Sequence, residues 1–165
     1  MGDSMENIVE LKDSKIITEI LNNAFMTVAL EYKFTKENAP RHSAFLEPEA
    51  IEAQLNKGFN MYGYTVNNQT VGCVGYWCDN NSIYHIERLA TLPEYRHLGI
   101  GKKLMGFVEN KIKENGGKTA EVHVIDKNNI LIEWYKELGY IEIRIDELKH
   151  LPFNSCVMNK TFLNK

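Results

Sequence analysis

The chain has 165 residues, 44% of them hydrophobic and 25% charged, which points to one globular domain spanning 1–165 with enough core to need no covalent or metal staple. Its formal net charge of −3 excludes the basic footprint of a nucleic-acid-binding domain, and no apolar run approaches the roughly 20 residues of a membrane span. Cys73, Cys78 and Cys156 are odd in number and form no Cys-x-x-Cys, which argues against a disulfide framework or a zinc site and for a reducing, cytoplasmic setting.

Met1-Gly2-Asp3-Ser4-Met5 lacks the basic and apolar regions of a signal peptide, and the second methionine suggests that residues 1–4 are an added extension. Asn7 to Leu11 reads as a first strand. Asp13 or Ser14 can cap a helix running to about Leu30, with Ile17, Ile20, Leu21, Ala24 and Val28 as its apolar stripe. Lys33 to Glu47 has no periodicity and contains Pro40, so it reads as a loop. Glu47 to Lys57 forms a second helix, with Pro48 in its first turn and Gly58 as its stop. Three extended runs follow, Phe59 to Val66, Val71 to Trp77 and Ile83 to Ala90. Asn67-Asn68-Gln69 and Asp79-Asn80-Asn81 separate them as turns, giving an antiparallel meander.

The next helix, Gly101 to Glu114, buries Leu104, Phe107, Val108 and Ile112 together with Ile100 just ahead of it. It stops at Gly116-Gly117. Thr119 to Ile125 alternates as a strand. Asn129 to Leu138 is a helix with Leu131, Trp134, Tyr135 and Leu138 on one side, ended by Gly139. Tyr140 to Asp146 and Cys156 to Phe162 complete the order β-α-α-β-β-β-α-β-α-β-β. The unit from Ile83 to Ile125 is long enough for a right-handed parallel crossover. The expected fold is therefore α/β: a mixed, largely antiparallel sheet of six to seven strands with helices on both faces.

The connection Arg96-His97-Leu98-Gly99-Ile100-Gly101-Lys102 carries the chemistry. Two glycines at alternate positions admit a ligand close to the backbone. The helix that follows offers unpaired N–H groups and the positive end of its dipole to an anion. Arg96 adds a forked, permanently charged donor, and His97, Lys102 and Lys103 complete a local basic cluster. Gly-x-Gly-x-x-Gly would need glycine at Leu104, and no Gly-x-x-x-x-Gly-Lys-Ser/Thr is present.

Pro93-Glu94-Tyr95-Arg96-His97-Leu98-Gly99-Ile100-Gly101 closely resembles the acetyl-CoA signature Arg/Gln-x-x-Gly-x-Gly/Ala of the GNAT N-acetyltransferase superfamily. The predicted element order is also that of the GNAT fold. The resemblance is strongest from Ile83 to Tyr140 and weaker in the N-terminal half. It implies acetyl-CoA as co-substrate, without a metal. It places the pyrophosphate at Arg96, His97, Leu98, Gly99, Ile100, Gly101 and Lys102. It implies that pantetheine binds the backbone of Leu89, Ala90 and Thr91 as an added strand, with an N–H near Leu89 as the candidate oxyanion donor. Thr91 stands where the pattern usually has valine.

Asn128 to Tyr140 is similar to the GNAT segment Asn-x-x-Ala-x-x-x-Tyr-x-x-x-Gly-Phe, with Leu131 in place of alanine. Tyr135 then becomes the candidate acid for the leaving thiolate, against the alternative of a core tyrosine. Asn128 either bonds pantetheine or caps its helix. Glu87, on the strand before the loop, is the first candidate base. His85 on the same face is the second, and water the third. Arg88 reads as a structural pair or cleft-edge residue.

Acceptor recognition has no comparable signature. Its candidates are Asn38, Arg41, His42, Phe45, Tyr76, Trp77 and the connection 149–154, all equally readable as ordinary loop or sheet residues. His42 and His150 lack metal-ligand spacing partners. The expected activity is acetyl transfer to a primary amine on a small molecule or a peptide. The alternatives are a non-catalytic acyl-CoA sensor on the same fold, or a protein-binding domain, which would leave the 96–102 loop without a purpose. An apolar edge at the last strands would suit a homodimer.

Overall fold

The computed structural model describes residues 7–163; the suggested extension at 1–4 lies outside them. The described residues form strands β1 (Asn7–Glu10), β2 (Asn60–Val66), β3 (Gln69–Cys78), β4 (Tyr84–Thr91), β5 (Thr119–Ile125), β6 (Ile141–Asp146) and β7 (Ser155–Thr161), and helices α1 (Ser14–Tyr32), α2 (Pro48–Asn56), α3 (Ile100–Glu114) and α4 (Asn129–Glu137). Local signals set most boundaries. The Asp13 carboxylate accepts from the N–H groups of Lys15 and Ile16 at 2.9 and 3.3 Å and starts α1. Asn67 and Asn68, both at positive φ, make the tight turn between β2 and β3. Asn128 caps α4 by accepting from Leu131 N–H.

The strands make one mixed sheet in the order β1-β2-β3-β4-β5-β7-β6, parallel only between β4 and β5. Helices cover both faces. On one face α3 and α4 pack Leu104, Met105, Val108, Ile112 and Ile132 against Val71, Val74, Val122 and Met158. On the other, α1 and α2 pack Ile17, Leu21 and Ile51 against Met61 and Cys73. Leu104 is fully buried, so its truncation to alanine costs about 2–5 kcal/mol.

Two irregularities position the site. First, β4 and β5 pair only at Tyr84↔Ala120 and His85↔Glu121. Beyond that rung β4 loses its partner on this side, while β5 stays paired to β7 through Ile125. Second, the β3–β4 register steps from Cys73↔Ala90 to Gly75↔Glu87, one extra residue on β4. Arg88 sits in this bulge at φ 57°. Leu92 N–H donates to Val71 O, so alternation along the strand turns the backbone groups of Thr91 and Leu89 to the opposite, unpaired edge.

Candidate active site

The gap between the diverging strands is a cleft of ≈640 Å³. One wall is β4 at Leu89, Ala90 and Thr91, and another is α1 at Ala24, Phe25 and Val28. The floor is the loop leading into α3 and the far wall is α4, through Asn128, Ile130, Leu131 and Trp134. His97 and Gly99 both take positive φ, 65° and 81°, which wraps the loop toward the cleft. Gly99 is the cap residue of α3 and no side chain caps that helix. The first N–H groups of α3 thus remain available to an anion. A Cβ on Gly101 would meet the Trp134 indole at 3.5 Å, so a larger side chain there projects into the space between α3 and α4. Arg96 lines the cleft but is already engaged: Nε donates to Thr91 O at 3.2 Å and an Nη to Ala24 O at 2.7 Å. It therefore clips the loop to α1 as well as presenting charge.

A second cavity of ≈540 Å³ adjoins the first and shares Phe25, Val28, Asn128 and Leu131 with it. Glu87 lines it, as do Arg41 and His42 of the long loop and Leu151 and Phe153 of the β6–β7 connection. His42 sits among aromatic rings, with centroids 5.0 Å from Phe34 and 5.7 Å from Phe25. Burial, reinforced by the Arg88 guanidinium, lowers its pKa to about 4. Its Nδ1 accepts from Ala44 N–H, so at neutral pH the ring is uncharged with its proton on Nε2. Arg88 itself turns to the α1–α2 side, donating to Ser43 Oγ at 2.9 Å and Gln54 Oε1 at 3.0 Å.

A cleft beside a helix terminus that no side chain caps thus adjoins a cavity carrying a carboxylate. Residues 21–140 match the acetyltransferase (GNAT) family. The chain belongs to the GNAT acetyltransferase family. Solved structures share the fold. The ribosomal-protein-S18-alanine N-acetyltransferase of Escherichia coli superposes with TM-score 0.75 at 16% identity, covering 95% of this chain and 94% of that one. A GNAT-family acetyltransferase of Staphylococcus aureus Mu50 gives 0.71 at 23% identity over 94% and 98%. The PaiA N-acetyltransferase of Thermoplasma acidophilum, solved with coenzyme A, gives 0.72 at 20% identity over 94% and 98%. GNAT membership supports acetyltransferase activity in general.

Within this GNAT chain the fold brings together most residues singled out from sequence. Leu89, Ala90, Thr91, Arg96, His97, Gly99, Ile100, Gly101, Lys102 and Asn128 all line the first cavity. Leu98 does not; its side chain is 64% exposed. Lys103 turns to Tyr64. Asn128 caps α4, one of the two alternatives open to it, and also lines both cavities. Tyr135 belongs to the core cluster rather than the cleft lining, 6% exposed between Trp134 and Tyr140. Burial raises its pKa, so the phenol stays neutral. Of the acceptor candidates, Arg41, His42 and, from the connection 149–154, Leu151 and Phe153 reach the second cavity, while Asn38 closes a turn with Thr35 and Tyr76 is core.

Sequence reasoning missed three things. Trp134 and Tyr95 line the cleft; their spacing marks them only as helix-face and turn aromatics. Phe25 and Val28 serve both cavities, although they sit on an amphipathic stripe. Finally, His85, Glu121 and His123 bring one ligand atom each within 4.8 Å, a grouping split over two strands and not visible in either alone. Asp79 holds His85 Nε2 at 2.8 Å, and Glu121 holds His123 Nε2 at 3.0 Å. Among the described residues, no helix is long and apolar enough to cross a membrane.

Proposed function

We propose that this protein transfers the acetyl group of acetyl-CoA directly to a primary amine. The observation that carries the reading is the meeting of the two cavities at Phe25, Val28, Asn128 and Leu131. The first suits a thioester donor: the edge of β4 that lacks a strand partner for pantetheine, apart from Thr91 O, which Arg96 Nε already holds, and the N-terminus of α3 with Lys102 and the charge of Arg96 for the pyrophosphate. The second presents Glu87 to an amine arriving from the other side. The amine nitrogen attacks the thioester carbonyl, a C–N bond forms and the C–S bond breaks. Leu89 N–H stabilises the oxyanion. Glu87 takes the proton released by the nitrogen, directly or through water, and Tyr135 hydrogen-bonds the departing thiolate. The raised pKa of Tyr135 fits a donor that polarises the sulfur rather than one that ionises. His85 stands second as base, because Asp79 and Glu121 already flank its ring.

Free thiol released from acetyl-CoA against a panel of amines tests the reading. Calorimetric binding of coenzyme A with thiol release for at least one amine is the expected result. Binding without release from any amine replaces the enzyme with an acyl-CoA sensor. The exposed Ile141, Ile143 and Ile145 of edge strand β6 support a homodimer contact, which sedimentation equilibrium checks. The three free thiols suit a cytoplasmic setting.

A further inference from the structure

We infer that the acceptor is a small monoamine with an aromatic or branched aliphatic body. This rests on the acetyl-transfer reading and concerns the second cavity alone. At ≈540 Å³ that cavity has the size of a small-molecule site. Its wall is largely apolar: Phe25, Val28, Ile125, Leu131, Leu151 and Phe153 all line it, and these six flank or join the small cluster built on Ala29, Phe34 and Ala44 or the main core. The wall is therefore supported from behind.

The charged groups facing the cavity are Arg41, His42, Glu87, His123 and Asp146. Most are spoken for. Asp146 accepts from Nε and Nη2 of Arg144, at 2.8 and 3.3 Å. His123 is bonded to Glu121 and Ser155. His42 is neutral at pH 7 for the reasons given above. Among the described residues, Glu87 and Arg41 make no ion pair within 4.0 Å, which leaves one carboxylate and one guanidinium. A single anion beside an apolar wall matches one ammonium on an apolar body. A polyamine or an aminoglycoside carries several ammonium groups. Each further one would have to shed water against hydrocarbon or approach Arg41 without a carboxylate to receive it.

The test compares tryptamine, phenethylamine and isopentylamine with spermidine, kanamycin and a peptide beginning with alanine, each at fixed acetyl-CoA. The expected kcat/KM for the best apolar monoamine is at least tenfold above that for spermidine, kanamycin and the peptide. If a polycation or the peptide is the best acceptor, or all amines turn over alike, the inference falls and acetyl transfer stands. Titration of the same amines into coenzyme A-saturated protein gives a second readout that needs no turnover. Tryptamine binding with none for spermidine supports the assignment, and no binding by any monoamine overturns it. Leu151→Gln should raise the KM for tryptamine at least tenfold and leave that for acetyl-CoA unchanged. Phe153→Ala makes the same measurement if the first variant does not fold. An unchanged tryptamine KM in a folded variant overturns the apolar wall as the recognition element.

Discussion

The two cavities that meet at Phe25 and Leu131 are built in different ways. The first offers backbone groups: the edge of β4 without a strand partner, the loop at positive φ and the terminus of α3 that no side chain caps. Much of it comes from one continuous stretch, Leu89 to Lys102, faced by α4. The second draws side chains from α1, the long loop, β4, β5, α4 and the β6–β7 hairpin. A backbone site is specified by strand pairing and by where glycine stands, so it tolerates change in the side chains around it. A side-chain site assembled from six segments changes its chemistry with one substitution. The contrast suits a fold that keeps one donor while its acceptor varies.

Substitutions on either side of the junction break or sharpen this contrast. The largest effect is expected for Glu87→Gln. If the carboxylate relays the amine proton, turnover near neutral pH falls roughly 10²–10⁴-fold, while coenzyme A affinity stays within twofold. The deficit should shrink as pH rises and more acceptor is already deprotonated. A pH–rate profile that matches wild type throughout passes the role to His85 or water.

Tyr135→Phe comes next. It keeps the ring between Trp134 and Tyr140 but removes the donor, so turnover should fall by about tenfold to a hundredfold. Coenzyme A binding should be retained. Full activity in single-turnover measurements would leave Tyr135 as a core residue.

Gly101→Val tests the backbone side. Its γ-methyls extend toward the Trp134 indole and the anion-facing turn of α3. Coenzyme A affinity should drop at least tenfold, about 1.4 kcal/mol, in a protein whose circular dichroism is unchanged. Unaltered affinity by calorimetry would remove the close-approach argument for this glycine.

The smallest effect on activity is expected at His42, where the readout is stability. Its pKa is about 4 when folded against an ordinary value of about 6.5. The unfolded chain therefore binds a proton that the folded one resists. Stability associated with this site is intact above pH ~6.5 and is lost as pH falls toward 4. In urea melts, His42→Gln should flatten that acid limb. An identical pH dependence in the two proteins would mean that the ring protonates freely where it stands.

The same contrast explains what could be read without coordinates. Strand and helix boundaries followed from period and punctuation: Asp13, Pro48, Asn67-Asn68 and Gly116 act within a few residues of themselves. The donor loop was legible because its parts are adjacent in the chain. The cleft needed only one long-range fact, the early end of the β4–β5 pairing. Leu98 stands in the donor loop with its side chain turned outward, which a motif of positions does not say. Arg41, His42 and the connection 149–154 were already acceptor candidates, but their meeting in one cavity with Phe25 and Glu87 could not be read in advance. Phe25, Arg41, Glu87 and Phe153 are neighbours only after the sheet has closed. Nothing in the local sequence distinguishes Phe153 from any apolar loop residue. The pairing of His85 with Glu121 likewise depends on a parallel register that no single strand encodes.

The four residues common to both cavities carry a thermodynamic obligation. Phe25, Val28, Asn128 and Leu131 cannot be repacked by one substrate without presenting a changed wall to the other. Arg96 ties the donor loop to the same helix at Ala24, one residue before Phe25. Whatever factor the donor imposes on acceptor affinity, the acceptor must return in equal measure. The shared wall, built from α1 and α4, is thus where occupation of one cavity is felt in the other.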